Sequence, residues 1–204
     1  LQVESGEIVD LTGPSGSGKS SLLTALAQLN PHASGDLTLR GRPASAFTPQ
    51  QWRTQVTYLP QQAILTGGTV AEAIRLPFTL AVRAGGSNGT EGAEDAYDGG
   101  RRRFPSLLRG ADRHTADRLD DAAISRMLDA LGCGDIELDR PPHDLSGGQA
   151  ARVALARTLL TRPKVLLADE VDAGLDDGNA AKVAAIMTRA AHDGMAIIRI
   201  RHRP

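Results

Sequence analysis

Short apolar runs recur along the chain, separated by stretches whose apolar residues fall at helical spacing. Ile8-Val9-Asp10-Leu11, Asp36-Leu37-Thr38-Leu39, Gln55-Val56-Thr57-Tyr58-Leu59 and Met195-Ala196-Ile197-Ile198-Arg199-Ile200 read as strands. Lys164-Val165-Leu166-Leu167-Ala168 is apolar without alternation, the pattern of a strand buried on both faces, and it ends in Asp169-Glu170. Between these runs Leu22, Leu23 and Leu26 share one helical face. So do Leu119, Ala123, Met127 and Leu131 in a helix read from near Thr115, with Asp117, Asp120 and Asp121 opposite. Val153, Ala156, Leu159 and Leu160 point inward from a helix opened by Leu145-Ser146-Gly147-Gly148-Gln149, and Ala180 to His192 forms a further helix before Gly194. Thr69 caps a helix from Val70 that is kinked or ended near Pro77, and Gly41-Arg42-Pro43 is read as a turn. Strands that alternate with helices predict an α/β fold with a mostly parallel sheet and a ligand at the C-terminal ends of its strands.

One segment breaks the pattern. From Ala84 to Arg103 periodicity vanishes and Gly, Ser, Asn, Glu and Asp dominate, which predicts a flexible insertion rather than a domain boundary. Its Arg101-Arg102-Arg103 cluster follows acidic residues, so it reads as a solvated loop.

Composition narrows the function. The chain has 204 residues, room for one α/β domain with a substantial core. A formal net charge of -1 and 3% aromatic residues argue against a nucleic-acid partner. The single cysteine, Cys133, excludes an internal disulfide framework. No apolar run approaches the ~20 residues of a membrane span, so any work at a membrane needs another subunit or domain to supply it.

The chemistry centres on Gly13-Pro14-Ser15-Gly16-Ser17-Gly18-Lys19-Ser20, which fits the G-x-x-x-x-G-K-[ST] phosphate loop between a strand and a helix. Glycines let successive N–H groups converge on a phosphate, and the helix start at Ser20 and Ser21 adds positive potential. Lys19 supplies a mobile cation for the β- and γ-phosphates, and the Ser20 hydroxyl is a ligand for Mg²⁺. A glycine-rich turn without function is the bland alternative.

With a phosphate loop, Leu145-Ser146-Gly147-Gly148-Gln149 and an apolar strand ending Asp169-Glu170 in that order, nearly the whole chain resembles the ATP-binding cassette (ABC) ATPases. The resemblance implies a P-loop NTPase fold. Its core subdomain would span about 1–62 and 160–204, and its helical subdomain about 63–159. It implies ATP and Mg²⁺ as cofactors, with Asp169 organising the metal and Glu170 polarising the attacking water. Gln61, after Tyr58-Leu59-Pro60, matches the glutamine that senses metal and water, with Gln62 as a rival. His202 resembles the switch histidine at the γ-phosphate. Ser146, Gly147, Gly148 and Gln149 would complete the ATP site of a second cassette, so that ATP joins two copies. The implied role is the ATPase subunit of a transporter, peripheral at the inner membrane face beside a separate permease.

Several positions depart from the family pattern. Val171 stands where proline is usual, Asp172 where Thr or Ser is usual, and Arg201 where a small hydroxyl residue precedes the histidine. The family's adenine-stacking aromatic would lie upstream of Leu1 and further strands beyond Pro204, so the sequence looks trimmed at both ends. The stretch Thr69 to Phe78 with Gly174 to Asn179 looks like bacterial cassettes assigned to iron export. A soluble ABC ATPase of repair, translation or assembly is the alternative, and a regulatory module without turnover is a third that an intact Glu170 argues against.

Overall fold

The computed structural model describes residues 1–62, 64–80 and 119–201. Four strands form one parallel sheet: β1 (Ile8–Leu11), β4 (Val56–Leu59), β5 (Val165–Asp169) and β6 (Ala196–Ile200), in the order β1-β6-β5-β4. The register aligns Leu11 and Asp169 with Ile200, and Leu59 with Ala168. All four strands therefore end at one edge. From that edge leave the phosphate loop, Gln61, Glu170 and Arg201.

The sheet is covered on both faces, most fully at the central β5, which reads as a continuous apolar run, whereas the edge strand β1 keeps Asp10 exposed. Leu167, Ile198 and Ile200 face Leu23 and Ala27 of the α1 segment (α1, Lys19–Leu26) and Trp52 of α2 (Pro49–Gln55). Leu166, Ala168 and Ile197 belong to the other core, with residues of α3 (Val70–Arg75), α4 (Asp121–Ala130), α5 (Gly147–Leu160) and α6 (Asp177–His192). Within it, α3 and α4 both pack on α5, whose Val153, Ala156 and Leu159 are fully buried.

Helix starts follow their sequence signals. Thr69, Asp120, Ser146 and Asp176 each accept a hydrogen bond from the backbone of their helix's first turn. Gly194 lies at φ 97 just past α6, where the left-handed conformation ends a helix.

Several expectations shift. Arg42–Pro43 is not only a turn: it forms strand β3, paired antiparallel with β2, which keeps just Thr38–Leu39 of the expected run. Helix α3 ends at Arg75, and Pro77 lies in a following 3-10 turn, Leu76–Thr79, as the missing N–H requires. Asp120 caps α4, so Leu119 and Asp120 precede that helix; the expected start near Thr115 lies outside the described residues. So do the insertion from Ala84 to Arg103, and His202. Helix α2 was not foreseen. No described helix is long and apolar enough to cross a membrane.

Candidate active site

Helix α1 packs across β5 and β4, which brings its N-terminus over the strand ends. Gly18, at φ 87, turns the chain into the helix in a conformation that costs an L side chain energy. Every other described α-helix has a side-chain cap; α1 has none, and no acidic residue occupies its first turn. Its first N–H groups are left for an anion, with the helix dipole behind them. Lys19 Nζ lies over the loop, donating to the carbonyl oxygens of Gly13 at 2.8 Å and Pro14 at 2.9 Å. Ser15, Gly16, Ser17 and Ser20 are exposed, as a ligand-binding loop requires.

Two carboxylates follow at the end of β5. Asp169 is buried, only 5% exposed, and the Tyr58 hydroxyl on the adjoining strand donates to its Oδ2 at 2.9 Å. Burial and the neighbouring Asp169 push Tyr58 up to about 12, so it remains a donor at neutral pH. Glu170 breaks the strand at φ 52, a left-handed conformation for a side-chain-bearing residue that costs of order 1–3 kcal/mol. The turn closes through the Ala173 N–H donating to Glu170 O at 3.0 Å. Gln61 Nε2 donates to Glu170 Oε2 at 2.9 Å, which joins the loop after β4 to the candidate catalytic carboxylate. No side-chain hydrogen bond of Gln62 occurs among the described residues, so Gln61 is the better candidate of the two.

Ser146, Gly147, Gly148 and Gln149 lie elsewhere. Ser146 Oγ accepts from Gln149 N at 3.2 Å, and Gln149 Oε1 accepts from Ser146 N at 3.0 Å, a reciprocal capping box. The Ser146 O–H is still free to donate to a ligand, because the cap uses its lone pair. Among the described residues no hydrogen bond or ion pair joins this motif to the phosphate loop; Gly148 instead lies against Leu175, beyond Glu170. The motif is exposed at Ser146 and Gly147, and around Gly147 there is open space.

Sequence reasoning gave no structural role to two groups here, Tyr58 and the Arg152 that follows Leu145 to Gln149 as in the family. Tyr58 served only to place Gln61; its bond to Asp169 depends on β4 lying beside β5 with Tyr58 opposite Leu167, which no local pattern announces. Arg152 is buried at 7% exposure and donates to the carbonyl oxygens of Leu131, Gly132 and Gly148 and to Asn179 Oδ1. It ties the ends of α4, α5 and α6 together.

The donors that could hold a metal are the Ser20 hydroxyl, the Asp169 carboxylate and the Gln61 amide oxygen, hard ligands suited to Mg²⁺ rather than to a softer ion. Among the described residues no cluster of three His, Cys, Asp or Glu could hold an ion by itself. Such a set fits a cation shared with a nucleotide's phosphates.

A family model described as ABC transporter matches residues 1–173. An uncharacterised ABC transporter ATP-binding protein of Methanocaldococcus jannaschii is 31% identical over 99% of this chain and 78% of its own length. An Escherichia coli K12 protein named "probable iron export ATP-binding protein FetA" is 31% identical over 88% of this chain and 64% of its own. Among solved structures, a dimeric ATP-binding cassette in a post-hydrolysis state with ADP and Pi superposes with a TM-score of 0.69 at 24% identity, covering 100% of this chain and 78% of that one.

Proposed function

The chain belongs to the ABC transporter family, and from that premise we propose that it binds and hydrolyses MgATP to drive a separate membrane permease. The observation that carries this reading is the uncapped start of α1 beneath Lys19, on the sheet edge that also holds Asp169 and Glu170. Phosphates bind the α1 N–H groups and Lys19. Ser20, Asp169 and Gln61 hold Mg²⁺, which neutralises charge on the phosphate oxygens when bound. Glu170 orients and polarises the attacking water, and the Gln61 amide fixes the carboxylate's direction.

The working unit is two cassettes, each offering Ser146, Gly147, Gly148 and Gln149 to the nucleotide held by the other's phosphate loop. His202 acts at the γ-phosphate. A core lobe of about 1–62 and 160–204 carries the phosphate loop, and a helical lobe of about 63–159 carries Leu145 to Gln149. The subunit is peripheral at the cytoplasmic face. Relatives named for export support an export direction, and the likeness to FetA supports iron as substrate. Relatives named as transporter components favour this role over a soluble repair, translation or assembly factor.

The test is phosphate release by the purified chain with MgATP, then by the chain reconstituted with its permease in vesicles. Hydrolysis that the permease enhances, and that iron enhances further, supports the full reading. Absence of hydrolysis in both forms overturns it, and stimulation by the permease without response to iron removes only the substrate assignment.

A further inference from the structure

Two of the positions that depart from the family pattern face each other. Arg201 Nε lies 3.5 Å from Asp172 Oδ2, and Nη1 of the same guanidinium lies 3.8 Å from Asp10 Oδ2. Asp10 belongs to β1 and is also paired with Arg199 of β6, Nε to Oδ1, at 2.5 Å. Arg201 continues β6, and its N–H donates to Leu11 O at 3.2 Å, so its backbone is fixed to the strand that leads into the phosphate loop. Asp172 sits inside the turn closed by Ala173 N–H and Glu170 O, two residues after the left-handed Glu170. Side-chain exposure is 33% for Arg201 and 26% for Asp172, which leaves the pair only partly screened by water.

We propose that Asp172 and Arg201 are positioning residues for hydrolysis. Their ion pair holds the turn that aims Glu170 against the strand ends of β6 and β1, in place of the hydroxyl residues usual at both positions. A side-chain-bearing residue stays left-handed only where its surroundings over-determine it. Here the turn is held by the closing backbone bond, a second from Leu175 N–H to Asp172 O at 3.3 Å, the buried Val171, the Gln61 amide on Glu170 and the Asp172 carboxylate. A guanidinium offers several N–H donors in a fixed fork and can meet two carboxylates at once, whereas a hydroxyl at position 201 has one donor and no charge. Replacing Arg201 alone leaves the partly buried Asp172 carboxylate without its match, and replacing Asp172 alone leaves Arg201 only its longer pair with Asp10, whereas replacing both returns positions 172 and 201 to a neutral pair. Neither residue touches the reacting atoms; both act through Glu170.

This rests on the hydrolysis reading above, and the experiment separates the two. Asp172→Thr, Arg201→Thr and the double variant are compared with the parent for MgATP turnover at about 50 and about 500 mM salt. Each single variant is expected to lose about threefold in kcat with KM changed less than about twofold, because the phosphate loop is untouched. The double variant is expected to recover to within about twofold of the parent, and to lose the parent's decline of kcat with salt. Single variants equal to the parent, a double variant showing the product of the two losses, or an unchanged salt response overturns the proposal. If the parent hydrolyses nothing, the hydrolysis reading fails, and the pair is then judged by hydrogen exchange at the Ala173 amide. Exchange about threefold faster in each single variant and restored in the double supports the clamp; equal exchange in all four proteins overturns it.

Discussion

The Tyr58 hydroxyl donates to Asp169 Oδ2 across 2.9 Å, tying β4 to β5 at the end where the chemistry takes place. The bond fixes one oxygen of a carboxylate that is otherwise enclosed by the sheet and its helices.

Tyr58→Phe keeps the ring and removes that donor. A hydrogen bond to a charged group contributes about 1.5–3 kcal/mol, so urea unfolding near neutral pH is expected to show a loss toward the lower end of that range. The pH dependence has a definite sign. A phenol raised from 10.0 to about 12 in the folded state contributes stability fully present below pH 10. That contribution is lost as pH rises through about 12, so the gap between parent and variant should be constant at neutral pH and close in alkali. A gap that widens in alkali contradicts the assignment.

Lys19→Ala should leave the fold intact, since its ammonium bonds only two loop carbonyls on an exposed face. Its effect belongs to the nucleotide. Removal of a charge-assisted contact to phosphate should weaken ATP binding by about ten- to a hundredfold in a calorimetric titration. Parent-like binding and turnover would place the phosphates elsewhere.

Asp10 gives a prediction at low pH. The Arg199 guanidinium, bonded to Asp10 and reinforced by Arg201, holds its carboxyl below the ordinary value of 3.8 despite partial burial. A lowered folded value contributes stability above the unfolded pKa and loses it as pH falls through the folded one. Asp10→Asn should therefore be less stable than the parent by ~1 kcal/mol at most near pH 7, given its solvent exposure. The difference should disappear on acidification below the ordinary carboxylate range, as followed by thermal unfolding. A difference that persists in strong acid would assign the loss to packing.

Much of this fold was legible because the informative residues are local. The central run at β5 is apolar because both sheet faces are covered there, and Thr69 and Ser146 cap helices whose starts they mark, whereas the Asp176 cap starts α6 at Asp177, ahead of the expected Ala180. Helix α2 escaped because it turns only Trp52 into the core, so no periodicity announces it. Its signals were the Thr48-Gln51 capping box and Pro49 in the first turn. Trp52 then anchors it by donating from Nε1 to Leu26 O and by an edge-on contact with Phe47. The phosphate loop and the Asp169-Glu170 pair were readable as contiguous motifs. The contacts Tyr58–Asp169 and Arg201–Asp172 were not, because each joins segments that only the strand order β1-β6-β5-β4 brings together.

The central claim is a shared site in which Glu170 works on a nucleotide that Ser146 of a second cassette encloses. Glu170→Gln keeps the side-chain volume and the bond partner for Gln61, but removes the carboxylate that orients water. Ser146→Arg leaves the phosphate loop untouched and places bulk at the exposed helix start. Light scattering with MgATP, at several protein concentrations, is the direct measurement. The expected result is that Glu170→Gln binds ATP without turnover and doubles in mass, while Ser146→Arg binds ATP and stays monomeric. A Glu170→Gln protein that remains monomeric at every concentration, beside a Ser146→Arg protein that hydrolyses at the parent's rate, would contradict the account.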